Sequence, residues 1–225
     1  MYVIIIGAGE VGRYLGRELI EMGHEVLIIE KNRNICEELT EELGSIFLCG
    51  DGCEVSVLRR AGITRAEMFI AVTDGDDDNL AACQLAKQKF NVPEVIAKVN
   101  NPKNEHIFVK LGIDRTVDRV SLILEHIKLQ IPQFSAIRLL AHRGMNQDVV
   151  LARPSSASPV IGKRIVDLSL PAGSLVSLII RGGREPELPL PDSVLERGDQ
   201  FICLLPAGTE REVQELLGIS APQRA

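Results

Sequence analysis

Four apolar residues leading into glycines 7, 9 and 12, in "VIIIGAGEVGRYLG" (Val3–Gly16), constrain this chain more than any other feature. Alone, a GxGxxG spacing is a weak signal, because glycines are common at tight turns. Here it stands between a fully apolar strand-like run, Tyr2–Ile6, and a segment with Val11, Leu15 and Leu19 at helical spacing, which Gly23 ends. That context reads as the first βαβ unit of a dinucleotide-binding fold. Gly7 allows the tight turn, Gly9 lets a pyrophosphate approach the backbone, and Gly12 lets the helix pack on the strand. Ala8, Glu10 and Val11 complete the loop, whose free N–H groups and helix dipole face an anion.

The alternation continues for about half the chain. "EVLIIE" (25–30), "SIFLC" (45–49), "MFIAV" (68–72), "EVIAKV" (94–99) and the weaker "DRTVD" (114–118) read as strands. Helical segments separate them, one starting at Asn101–Pro102. Strand–helix repeats at this spacing predict a Rossmann-like, doubly wound parallel sheet. From about Phe134 the pattern changes. "SAIRLLA", "DVVLARP", "LVSLIIR" and "QFICLLP" read as strands, with a short helix at Gly162–Leu168 and a last one in "TEREVQELL". The reading is therefore α/β, with a nucleotide-binding domain at 1–133 followed by a small α+β domain at 134–225. The helix "VSLILEHIKLQI" (120–131) carries an apolar stripe of Val120, Ile123, Leu124, Ile127 and Ile131, widened by Leu122 and Leu129. Two readings stay open for it: a core helix, or a helix that crosses to a partner subunit.

Strand ends supply the other candidate binders, since ligands of open α/β sheets sit at the carboxyl ends of the strands. Glu30 ends the second strand, where an acid grips ribose hydroxyls; the alternative is a solvated strand end. Asp51 and Gly52 follow the third strand and are placed to reach an adenosine. Thr73 and Asp74 follow the fourth, and Lys98 near the end of the fifth is placed to neutralise a phosphate. A 2′-phosphate would stand against Glu30 at ~4 Å, a repulsion of about 4 kcal/mol at an effective dielectric of 20, which Lys31 and Arg33 would partly offset. NAD(H) or an unmodified adenine nucleotide is favoured over NADP(H). For Asp76–Asp78 helix capping and solvation are favoured over a cation site.

Composition narrows the function classes. The net charge is -6 and aromatics are 4%, so no nucleic-acid partner is expected by electrostatic capture or stacking. No segment approaches the roughly 18 apolar residues of a membrane span, and the start of the chain does not read as a signal peptide. The five cysteines, Cys36, Cys49, Cys53, Cys83 and Cys203, contain no CxxC pair and are expected as free thiols of a reducing cytoplasm.

"GAGEVG", the acid at Glu30, "GDG", "VTDGDDDN" and "AKVNNPKN" together resemble the TrkA N-terminal domain of potassium-uptake regulators, also called the RCK or KTN domain. "GKRIVDLSLP", "IIRGG", "LERGDQFICLLP" and the last helix resemble the TrkA-C domain. The resemblance covers nearly the whole chain. It implies a cytoplasmic, non-enzymatic regulatory subunit at the inner face of the membrane. It implies a homodimer built into a larger ring beneath a TrkH/KtrB-like potassium-translocating membrane subunit, with transport gated by NAD(H) or ATP/ADP. It places the nucleotide on Gly7–Val11, Glu30, Thr73–Asp74 and Lys98, and no metal site is expected. It also implies that helix 120–131 crosses between subunits. Relatives often carry Arg where Lys98 stands. Some that bind ATP carry Arg where Glu10 stands and Glu where Val120 stands. Glu10 would repel a γ-phosphate, with Arg13 as a compensating candidate, so NAD(H) is preferred and ATP/ADP is the alternative. The runner-up function is a small NAD-dependent dehydrogenase. Its proton donors would be His24, His106, His126 or His142, none of them in a recognisable catalytic arrangement. A nucleic-acid-binding redox sensor is a third class, without an evident helix-turn-helix or basic stripe.

Overall fold

The computed structural model describes residues 1–43, 46–131, 136–142, 147–182 and 184–218. It divides into two compact units, Met1–Leu122 and Ile123–Ala225. In the first, β1 (Tyr2–Ile6), β2 (Glu25–Glu30), β3 (Phe47–Cys49), β4 (Met68–Ala71), β5 (Glu94–Val99) and β6 (Arg115–Asp118) form one sheet. Their order is β3-β2-β1-β4-β5-β6, with every pairing parallel. This is the doubly wound order, and its reversal between β1 and β4 opens a crevice at the carboxyl ends of the strands.

The connecting helices are α1 (Glu10–Glu21), α2 (Arg33–Leu43), α3 (Val55–Arg60), α4 (Asp76–Gln84) and α5 (Glu105–Lys110). Burial explains the apolar strand runs. Ile4, Ile6 and Phe69 pack on one face of the sheet, Val3, Ile5 and Ile28 on the other. Asn101 caps the predicted turn, its side chain accepting from the Lys103 N–H beside Pro102. A single 3₁₀ turn, Pro102–Asn104, precedes α5 there.

In the second unit, β7 (Ala136–His142), β8 (Gln147–Ala152), β9 (Leu175–Ile180) and β10 (Gln200–Pro206) form an antiparallel sheet ordered β7-β8-β10-β9. Helix α7 (Glu210–Leu216) buries Val213 in the same core as Phe201 and Leu205. The helix expected at Gly162–Leu168 is reduced to one 3₁₀ turn, Ile165–Asp167. An antiparallel bridge between Arg164 and Val194 and the pairing of Arg164 with Asp167 and Asp192 hold that stretch instead.

Two further expectations change. Helix α6 (Arg119–Gln130) has no buried residue, and Leu122, Ile123, Leu124 and Ile127 are all exposed, so the core-helix reading is not what the fold shows. Cys36 and Cys49 are not free thiols but a disulfide, while Cys53, Cys83 and Cys203 are free. The reason is non-local. Cys49 lies in register with Glu30 on the neighbouring strand, and α2 folds back so that Cys36 comes within 5.7 Å of Cys49, Cα to Cα. Among the described residues no helix is long and apolar enough to cross a membrane.

Candidate functional site

A crevice of about 440 Å³ opens at the carboxyl edge of the parallel sheet, and residues that follow or end all six strands line it. Gly7 and Gly9 come from the β1–α1 loop, Glu10 and Val11 from the first turn of α1, Glu30 from β2, and Asp51 and Gly52 from the turn after β3. Thr73 and Asp74 follow β4 and Lys98 belongs to β5. Of the residues expected at the site, Ala8 and Gly12 stand behind the wall rather than in it.

The fingerprint glycines divide by what surrounds them. Gly7 has φ +99° and lies tight against the Thr73 backbone. A Cβ on Gly12 would stand 1.9 Å from the Gly7 carbonyl oxygen, so close helix packing requires that glycine. A Cβ on Gly9 would meet no protein atom within 4 Å. Packing therefore does not explain Gly9, which leaves the backbone at the start of α1 open.

Glu30 is held as an acceptor. Its Oε2 takes the Ala8 N–H at 2.7 Å, and its Oε1 takes the N–H groups of Lys31 (2.9 Å) and Asn32 (2.8 Å). The carboxylate thus ties β2 to the glycine loop, and these three N–H groups take most of its about four acceptor sites. Lys31 Nζ donates to Asp78 Oδ2 at 2.6 Å, and that hydrogen bond holds the ammonium above its usual pKa.

The other half of the edge rests on Asn79, which is fully buried. Its Oδ1 accepts from the Thr73 N–H (2.9 Å) and hydroxyl (2.7 Å); its Nδ2 donates to the carbonyls of Thr73 (3.1 Å) and Lys98 (2.9 Å). Three of these bonds hold Thr73, just after β4, and the fourth reaches β5, so the one side chain ties the two strand ends together. The Lys98 side chain is 8% exposed and its Nζ reaches Asp74 Oδ1 at 3.2 Å, on a carboxylate that is itself 98% exposed. A buried ammonium with a solvated partner can exchange it for another anion.

Asp76, at the start of α4, accepts from the N–H groups of Asn100 (2.6 Å) and Asn101 (3.0 Å) and from Asn104 Nδ2 (2.8 Å). Partial burial pushes its carboxyl up, but these bonds outweigh it and hold the group below the usual carboxylate range. The acidic run is therefore a fold device at Asp76 and part of the wall at Asp78. Among the described residues no group of metal-ligating side chains is assembled.

Arg119, the first residue of α6, also lines the crevice, and sequence reasoning did not single it out. The usable signal was its position directly after the sixth strand. Arg13, expected to compensate Glu10, turns instead toward Glu38 at 3.6 Å and does not line the crevice. No histidine lines it among the described residues. Its one cysteine, Cys53, has its thiol pushed up to about 11 by burial, with Asp51 and Asp78 adding to the effect. The lining groups are thus suited to holding a hydroxylated, phosphate-bearing molecule.

Comparison with known proteins places the chain in a family. The TrkA-N domain model matches residues 3–118 and the TrkA-C domain model residues 149–218. A Trk system potassium uptake protein TrkA homolog of Methanothermobacter thermautotrophicus is 33% identical over 214 residues, covering 94% of this chain and 97% of its own. The Trk system potassium uptake protein TrkA of Mycobacterium tuberculosis is 32% identical over 218 residues, 96% of this chain and 98% of its own. Among solved structures, a GsuK channel bound to NAD superposes over 99% of this chain with a TM-score of 0.60 at 19% identity; the match spans 40% of that chain.

Proposed function

This chain belongs to the TrkA family of potassium-uptake proteins, with a TrkA-N and a TrkA-C domain, and on that premise we propose that it is a nucleotide-sensing regulatory subunit. Nucleotide held at the strand edge biases a two-state arrangement of its oligomer, and that arrangement gates a TrkH/KtrB-like potassium-translocating membrane subunit. The bias requires unequal affinity of the nucleotide for the two states. The chain works on the cytoplasmic side and meets the membrane through its partner. It pairs through α6, whose apolar stripe is left uncovered by its own chain, and the pairs build a larger ring.

The observation that carries the reading is the crevice itself. Gly9 is open to the pyrophosphate, Glu30 is fixed as an acceptor for ribose hydroxyls, and Lys98 is a buried cation with an exchangeable partner. These residues fit a dinucleotide. The lining carries Glu10, Glu30, Asp51, Asp74 and Asp78 against Lys31, Lys98 and Arg119. That excess of carboxylates favours the lower charge of a pyrophosphate bridge over a triphosphate, so NAD(H) is the preferred ligand and ATP/ADP the alternative. A solved relative of the same fold, the GsuK channel, bound NAD. Among the described residues no histidine lines the crevice and its one thiol is held mostly protonated, which supports regulation over turnover.

Titration of the purified chain with NADH, NAD, ADP and ATP, with assembly size read in parallel, tests the proposal. Saturable binding of NADH with a change in assembly is expected. No binding to any of the four overturns it, and hydride transfer to a small metabolite would replace it with the dehydrogenase reading.

A further inference from the structure

The Cys36–Cys49 disulfide sits at the ribose side of the crevice. Cys49 is the last residue of β3, in register with Glu30, and the next N–H, that of Gly50, donates to the Glu30 carbonyl at 2.8 Å. Asp51 and Gly52 then line the crevice. On the other side of Glu30, Lys31 and Asn32 bind its carboxylate, and the Cys36 N–H donates to the Asn32 carbonyl at 2.9 Å. The S–S bond therefore staples together the two loops that flank the acid, across a sequence separation of 13.

We propose that this disulfide is a redox-sensitive modification site that sets nucleotide affinity, binding being tighter in the oxidised chain. The proposal rests on nucleotide occupying the crevice. Disulfides in a cytoplasmic protein are characteristically redox-active rather than structural. Access selects the sulfur that reacts: Cys49 is exposed whereas Cys36 is 5% exposed. The thiolate of a dithiol reductant attacks Cys49 Sγ. The Cys36–Cys49 bond breaks, a mixed disulfide forms at Cys49, and Cys36 leaves as a thiolate that takes up a proton. The second thiolate of the reductant then attacks its own bonded sulfur. That step closes the reductant's disulfide and releases Cys49, which is protonated in turn. Two electrons pass from reductant to protein.

The free thiol of Cys53, four residues on from Cys49, does not compete in this exchange. Burial beside Asp51 and Asp78 leaves it mostly protonated at neutral pH, and the thiolate is the nucleophile. Once the bond is cut, the flanking loops regain freedom that nucleotide binding must remove again, and affinity falls.

The test uses the full chain, oxidised with diamide or reduced with dithiothreitol. Each sample is capped with N-ethylmaleimide after denaturation and weighed, and a parallel sample is titrated with NADH. Three caps are expected on the oxidised chain and five on the reduced one. The reduced chain should bind NADH about fivefold to tenfold more weakly. The double variant Cys36→Ser/Cys49→Ser should bind like the reduced chain and ignore dithiothreitol. Five caps on the diamide-treated chain, or equal NADH affinity in the two wild-type states, overturns the proposal. Failure of both states to bind any nucleotide would instead overturn the reading of the crevice on which it rests.

Discussion

The back wall of the crevice and its mouth are built on opposite rules. Behind the wall, Gly12 is packed against the Gly7 carbonyl, and every polar atom of the Asn79 side chain is engaged by Thr73 or Lys98. At the mouth, Gly9 faces no protein atom, Lys98 shares its ammonium with a solvated carboxylate, and Arg119 has no ion pair among the described residues. Groups satisfied by the protein belong to folding. Groups left for a ligand to satisfy belong to function. Substitutions behind the wall should therefore lower stability, and substitutions at the mouth should lower affinity alone.

The sharpest contrast lies between two glycines three residues apart, Gly9 at the cap of α1 and Gly12 within it. Gly12→Ala forces a Cβ to 1.9 Å from a backbone oxygen, which no side-chain rotation relieves. A loss of about 3 kcal/mol is expected, with nucleotide binding lost as well. Gly9→Ala adds the same methyl group to open space. Its thermal midpoint should stay at the wild-type value while NADH affinity falls. Equal drops in the midpoint of both variants would break the comparison.

Asn79→Ala comes next. It orphans the Thr73 N–H and the Lys98 carbonyl behind the wall, and about 1–3 kcal/mol of stability should go with them, read by denaturant unfolding. A wild-type unfolding curve would mean that water replaces the amide, and Asn79 would then not hold the two strand ends.

How much of this was legible beforehand follows from the range of each interaction. Parallel strands buried on both faces are apolar runs, so β1, β2, β4 and β5 announce themselves locally, and the glycine loop fixes their sense. Strand ends then converge by topology alone, which is why Glu30, Thr73 and Lys98 were readable as neighbours. Asn79 was not. It reads as one more polar residue at a helix start, and its role depends on β4 and β5 being adjacent. The Cys36–Cys49 bond likewise depends on β2 and β3 being adjacent, without any spacing motif. Arg119 follows the weakest strand, where the pattern signal is faintest.

Glu30 belongs to both regions, which makes it the place where the comparison can be divided. Glu30→Gln keeps the shape but turns one oxygen into an NH₂ group facing N–H donors. Affinity for ribose-bearing nucleotides should fall about tenfold to a hundredfold, the range of charge-assisted bonds worth about 1.5–3 kcal/mol. Glu30→Ala should cost similar affinity without the clash. Unchanged binding in both would remove Glu30 from the site.

Asp76 tests the wall by pH. Its carboxyl is held below the usual range, so the stability it contributes is present above about pH 4 and is lost as pH falls through the lowered folded value. Unfolding curves of wild type and Asp76→Asn should differ at neutral pH and converge in acid. A constant gap at every pH would mean that the shape of the hydrogen-bonding group, and not its charge, matters there.

The smallest effect is expected at the mouth, for Arg119→Ala. The side chain is exposed and without an ion pair among the described residues, so no stability change is expected. Its attraction for a phosphate acts through water. At about 0.01 M salt the Debye length is roughly 30 Å, and the charge should be worth a few-fold in NADH affinity. At about 1 M salt screening acts within roughly 3 Å, and the difference from wild type should vanish. Lys98→Ala should behave differently, because a buried cation is screened far less; its loss of affinity should persist in salt. Parallel salt titrations of the two variants read this directly. Equal salt slopes for Arg119→Ala and wild type would remove Arg119 from the phosphate side. A salt-sensitive loss in Lys98→Ala would mean that its ammonium, like the Arg119 guanidinium, is felt only through solvent.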